Sequence, residues 1–135
     1  MKPVNQEFVH NPETGQWGDC QRAVIASLLE LPISEVPHFG QIAQGDSVVF
    51  YAELQKFVAL HGYVYVTTHA KYGFSTFGLA EASVYHEISG PSPRGSGIYH
   101  AVVGYDGAIV FDPHPSRAGL AGDPDTWEFS FLVKR

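Results

Sequence analysis

The residue types best suited to chemistry are Cys20, the chain's single cysteine, and the pair His100 and Asp112. Cys20 stands where an apolar segment begins, and a helix starting there would turn its free amides and dipole towards the sulfur, favouring the thiolate. His100 and Asp112 flank Asp106-Gly107, a pair that favours the left-handed dihedrals of a two-residue hairpin turn. About that turn, residues whose numbers sum to about 213 face each other, so His100 and Asp112 are near neighbours across the ladder. A carboxylate beside an imidazole fixes its tautomer and leaves the other ring nitrogen to accept a proton from a thiol. The bland readings are a packed cysteine and a structural His–Asp pair; the combination of all three is more specific than either part. Cys20, His100, Asp112 and His114 are also potential metal ligands. No close pair such as CxxC or HxxxH accompanies them, so no metal and no other cofactor is expected.

Several elements must position these groups. Ala23, Val24, Ala26, Leu28, Leu29 and Leu31 predict a largely buried helix from about Asp19 to Leu31, with Asp19 as N-cap and Pro32 as stop. Residues 32–45 read as a loop, with a short helical turn allowed at Ser34-Glu35. A second helix is expected from Asp46 to His61, burying Val49, Phe50, Leu54, Phe57, Val58 and Leu60 and ending at Gly62. Tyr63–Thr68 is β-forming, and Ala82–Ile88 reads as a further strand. The Ser89–Gly97 segment reads as a loop, Ile98–Tyr105 and Ala108–Phe111 as hairpin arms, and Trp127–Val133 as the last strand. Helices first and antiparallel strands after predict an α+β fold.

The chain as a whole narrows the field. Its 135 residues suit one domain, and 44% hydrophobic with 16% charged residues is a folding composition. Eight Lys and Arg spread thinly in a chain of net charge −6 form no basic run, so nucleic acid is not an expected partner. No apolar run reaches membrane-spanning or signal-peptide length, and one cysteine forms no internal disulfide. A cytoplasmic protein that does not engage membranes is therefore expected.

Gly18-Asp19-Cys20 opening an apolar helix, His100-Ala-Val-Val-Gly-Tyr, Asp106-Gly107 and Phe111-Asp112-Pro113 together resemble the papain-like cysteine peptidase superfamily. The nearest branch by resemblance is that of the double-glycine leader peptidases. The stretches Asp19-Cys20-Gln21, Val36-Pro37-His38-Phe39, Ser89–Gly95 and Asp112–Ser116 are similar to a family of small proteins found often in bacteriophage genomes. The resemblance implies a papain-like domain in which the helix carrying Cys20 packs on an antiparallel sheet. It further implies Cys20 as nucleophile, His100 as base and Asp112 as orienter. Relatives often carry a Gln six residues before the Cys as oxyanion donor. Thr14 holds that position here, so Gln16 and the Cys20 backbone amide are the candidate donors.

Trp17, Arg94 and His114 are candidate substrate-binding residues: a cleft wall, an anion clamp in the Ser89–Gly97 loop, and a histidine two residues beyond Asp112. The bland readings are a cover for the helix end and a solvated arginine. Tyr51, Tyr63, Tyr65, Phe50 and Phe57 read as core. The leading expectation is a thiol hydrolase or acyltransferase acting on an amide, peptide or isopeptide bond, with a short peptide or small amide as substrate and a host protein as a larger option. Its rival is a non-catalytic binding module of the same fold that sequesters a host protein or a small molecule.

Overall fold

The computed structural model describes residues 1–72 and 82–135. Helix α1 spans Cys20–Leu29. It ends because Glu30 turns left-handed at φ 58°, which lets Leu31 return its amide to Ala26 O at 2.9 Å. A short helix α2 occupies Phe39–Ala43, inside the segment expected to be loop. Its cap is a histidine: His38 Nδ1 accepts from Gln41 N at 3.2 Å, a signal that composition does not carry. Helix α3, Ser47–Leu60, starts where Asp46 Oδ1 accepts from Val48 N and Val49 N. It buries Leu54, Phe57 and Val58, while Val49 and Leu60 lie on its solvent side.

Strands β1 (Tyr63–His69), β2 (Tyr85–Pro91), β3 (Tyr99–Tyr105), β4 (Ala108–Phe111) and β5 (Glu128–Lys134) form one antiparallel sheet. Their order is β1-β5-β2-β3-β4. The fold is therefore α+β, with α1 packed on β3. The expected strand at Ala82–Ile88 is shifted: Ser89, Gly90 and Pro91, expected to be loop, complete β2 opposite Ala101, His100 and Tyr99. Pro91 closes the strand, where a missing amide costs least. Gly90 is needed because Trp127 lies over it; a Cβ there would stand 2.6 Å from the indole Cδ1. The glycine- and aromatic-rich stretch from 73 to 81 lies outside the described residues.

Alternation along β3 divides the packing. Ala101 and Val103 face Val24, Leu28 and Cys20 of α1. Val102 packs with Ile88, Phe129, Trp127 and Leu120 on the opposite face. A larger cluster of Ile25, Phe39, Leu54, Phe57, Val58 and Tyr65 joins the three helices to β1. Among the described residues no helix is long and apolar enough to cross a membrane.

Candidate functional site

Asp19 precedes α1 but does not cap it; its carboxylate reaches back to the amide nitrogens of Glu7 (3.0 Å) and Phe8 (2.8 Å). Arg22 Nη1 lies 3.3 Å from the same carboxylate. This buried anchor straps the N-terminal segment across the start of α1, so that Gln6, Val9 and His10 become walls of the pocket at Cys20.

Cys20 enters from α1 and His100 from the start of β3, and both line the same two recesses. One is a small pocket of about 100 Å³ shared with Gln6, Arg94 and His114. The other is a groove of about 560 Å³ walled by Trp17, Phe50, Tyr51, Tyr99 and Glu128. Tyr51, expected in the core, is half exposed and forms part of that groove.

His100 and Asp112 meet through a β-bulge. From the turn, Tyr105 pairs with Ala108 and Gly104 with Ile109, as the hairpin count requires. The register then shifts, Val103 pairs with Phe111, and Val110 is left without a partner. In the unshifted register, Asp112 would oppose Ala101 and point to the other face from His100. The extra residue moves Asp112 onto the His100 face. His100 Nε2 then donates to Asp112 Oδ1 at 2.7 Å.

The carboxylate is held on every side. Oδ1 also accepts from His114 N at 2.8 Å, and Oδ2 accepts from Gly119 N at 2.7 Å. Arg117 donates to the Asp112 backbone carbonyl. Burial alone would raise the Asp112 pKa, but the bonds from His100, His114 and Gly119 outweigh it and hold the group below the usual carboxylate range. His100 is lowered from its ordinary value, by burial first, against the raising effect of Asp112. At neutral pH this gives a neutral imidazole with its proton on Nε2 and Nδ1 free to act as base.

The thiol behaves differently from the sequence expectation. Burial pushes Cys20 up to about 11, despite lowering contributions from the Ala101 and Gln21 amides, with Glu87 and Asp19 adding to the rise. The N-terminal amides of α1 do not overcome desolvation here. Among the described hydrogen bonds none joins the sulfur to His100. The shifts of Cys20 upward and His100 downward both favour the neutral forms over an ion pair.

Glu87, a residue that sequence reading passed over because it sits in an ordinary strand, is buried near the sulfur. It accepts from Gln21 Nε2 (2.6 Å) and Tyr65 Oη (3.0 Å), and burial lifts its pKa to about 8. Gln16 lines neither recess, and its amide donates instead to Val9 O at 2.6 Å. The bridge between Asn11 and Gln16 turns it away from the sulfur. Gln6, in the lead-in, lines the small pocket instead. Trp17 walls the groove, with its indole Nε1 donating to Gln44 Oε1 at 3.2 Å. Arg94 lines the small pocket and donates to Ser116 Oγ at 3.1 Å. His114 lines it too, edge-on to the His100 ring at 6.0 Å between centroids. Among the described residues no cluster of three or more His, Cys, Asp or Glu is arranged to hold a metal ion.

No protein-family model matches the chain, and comparisons with curated proteins and with solved structures find no match.

Proposed function

We propose that the chain is a papain-like thiol hydrolase or acyltransferase acting on an amide, peptide or isopeptide bond, with Cys20 as nucleophile, His100 as general base and Asp112 as the residue that orients it. The observation that carries this reading is the 2.7 Å bond from His100 Nε2 to Asp112 Oδ1, beside a cysteine that lines the same recesses. That bond fixes the tautomer in which Nδ1 is the base, and it stabilises the imidazolium that forms once the base has taken a proton.

In the reaction, His100 removes the thiol proton as sulfur attacks the carbonyl carbon, because a thiol with a pKa of about 11 holds no standing thiolate at neutral pH. The proton passes to the leaving nitrogen, the C–N bond breaks, and water cleaves the thioester with His100 again as base. The Cys20 backbone amide at the head of α1 is the oxyanion donor in this scheme. Substrate enters through the larger groove, whose volume suits a short peptide or small amide.

The rival reading, a non-catalytic binding module for a host protein or small molecule, is favoured by the high thiol pKa and by the missing sulfur–imidazole bond. An acyl-transfer assay separates the two. Incubation with p-nitrophenyl acetate at pH 7.5, followed by intact-mass measurement, is expected to show an acetyl group on wild type and none on Cys20→Ala. His100→Ala is expected to acylate about 10²–10⁴-fold more slowly. Equal acylation of wild type and His100→Ala removes the catalytic reading and leaves the binding module.

A further inference from the structure

The larger groove carries a charge pattern that the chemistry at the sulfur does not use. Glu128 reaches it from the head of β5, and the ladder fixes its place. Ser89 pairs with Ala101 on one side and with Glu128 on the other, so the three stand in one row and point to one face. On that face Ala101 packs towards Cys20 and α1. The Ala101 amide is one of the two that lower the thiol pKa, so it lies at the sulfur. Two strand spacings, about 10 Å in all, therefore separate the Glu128 backbone from the backbone at the sulfur.

The Glu128 side chain is 33% exposed, and its one ion pair among the described residues is with His69, whose Nε2 stands 3.9 Å away, beyond hydrogen-bonding reach. Among the described residues no lysine or arginine lines the groove. Asp46, also in the lining, adds a second negative charge, although its Oδ1 is engaged at the head of α3. Glu87 adds little at neutral pH, since burial holds its pKa at about 8. Much of the remaining wall is aromatic. Tyr51 is 47% exposed and meets Phe50 at 5.3 Å between ring centroids. Burial, then the charges of Glu87 and Glu128, raises the Tyr51 phenol pKa, which puts this residue within electrostatic reach of Glu128.

We propose that this groove is a subsite for a cationic side chain, a lysine or arginine next to the attacked carbonyl, with Glu128 receiving the charge and Tyr51 and Trp17 packing the stem. This rests on the hydrolase reading above and narrows its substrate to basic peptides and amides. A lysine's four-carbon stem, met by the Glu128 side chain, bridges the distance from the sulfur. Charge complementarity selects the occupant. A neutral apolar group would cover the aromatic walls but desolvate the Glu128 carboxylate without a partner, and an anion would be repelled by it. A cation suits both, with a carboxylate for its charge and aromatic rings for its stem. The net charge of −6 adds a long-range attraction in the same direction.

Chloromethyl ketones test the subsite without turnover: the Cys20 sulfur displaces chloride and forms a C–S bond beside a ketone that takes the place of the attacked carbonyl. Tosyl-lysine chloromethyl ketone is compared at pH 7.5 with its tosyl-norleucine counterpart, which has the same four-carbon chain without the ammonium. Each rate is followed by intact mass and taken relative to 2-mercaptoethanol, a neutral thiol, so that the reagents' own reactivities cancel. Wild type is expected to prefer the lysine reagent about tenfold, the effect of one exposed ion pair and one cation–π contact together. Glu128→Gln should bring the ratio close to that of 2-mercaptoethanol. Tyr51→Ala should reduce the preference by about two- to fivefold. Glu35→Gln, which removes one charge at an exposed site outside the groove, should keep the wild-type ratio. A wild-type ratio equal to that of 2-mercaptoethanol, or no reaction with either reagent, overturns the proposal whether or not the variants fold. So does a preference that survives Glu128→Gln, or one that Glu35→Gln lowers as much. A preference without acylation of Cys20 by p-nitrophenyl acetate leaves the subsite standing and removes the hydrolase; acylation without a preference does the reverse.

Discussion

Replacing Asp112 with Asn tests the dyad without reference to any substrate. The carboxylate accepts three hydrogen bonds, from His100 Nε2 and His114 N on Oδ1 and from Gly119 N on Oδ2. Asn has one acceptor oxygen and one NH₂, so either orientation loses at least one of the three bonds. With the oxygen towards His100 and His114, the NH₂ meets the Gly119 N–H and one bond is lost. In the reverse orientation the bond from His114 N fails, and His100 keeps its bond only by carrying its proton on Nδ1 and accepting from the NH₂. The first arrangement costs less. It strands the part-buried Gly119 N–H and removes charge assistance, together about 2–3 kcal/mol. At roughly 3–4 °C per kcal/mol for a domain of this size, the melting temperature should fall by about 6–12 °C. The His100 pKa, already low, should drop further without the anion that raises it. Thermal denaturation by circular dichroism and the imidazole ¹⁵N shifts of His100 read both effects. A stability loss under about 0.5 kcal/mol, typical of an inert surface change, together with unchanged ¹⁵N shifts, refutes the buried dyad.

Other outcomes follow from the same geometry. Glu87 has a folded-state pKa of about 8 against an ordinary value of 4.5, so between these limits the folded state holds more protons and stability falls as pH rises. The difference in stability between Glu87→Gln and wild type should therefore grow by up to about 1.4 kcal/mol per pH unit from pH 5 to 8. Parallel urea titrations across that range check it, and a constant difference contradicts it. Alkylation of wild-type Cys20 should accelerate up to a pH of about 11; a thiolate inflection below pH 9 would show that burial does not govern the sulfur. Gly104→Ala places a Cβ 2.6 Å from His86 Cε1 and 2.8 Å from Ile88. It should destabilise by about 1–3 kcal/mol through overpacking, read from the urea midpoint, and a neutral effect would mean that the sheet yields there.

What the sequence disclosed was local. The head of α1 at Cys20, the Asp46 cap of α3 and the Asp106-Gly107 turn each rest on residues within a few positions of one another, and each stands where expected. What stayed hidden depended on distant neighbours. Asp19 looked like a cap because a cap is a local device, whereas its partners are the amides of Glu7 and Phe8. Gly90 and Pro91 read as loop because Trp127, the reason for the glycine, lies far along the chain. Gln16 was a candidate by its nearness to Cys20 in sequence, yet Gln6, further away, is the glutamine in the pocket wall. The helix start favoured a thiolate, and burial reversed that because desolvation is a property of the packed surroundings.

The unpaired Val110 turns the length of one strand into a parity rule. Point substitutions in the hairpin alter packing by degrees, but inserting or deleting one residue in β4 between Ile109 and Asp112 would present the carboxylate to the wrong side of the sheet. A change of two residues would restore its facing. The pairing of His100 with Asp112 is thus encoded as an odd-or-even count as well as by two side chains. During divergence this hairpin would accept length changes in pairs and resist single ones, even where every residue that differs is exposed to solvent.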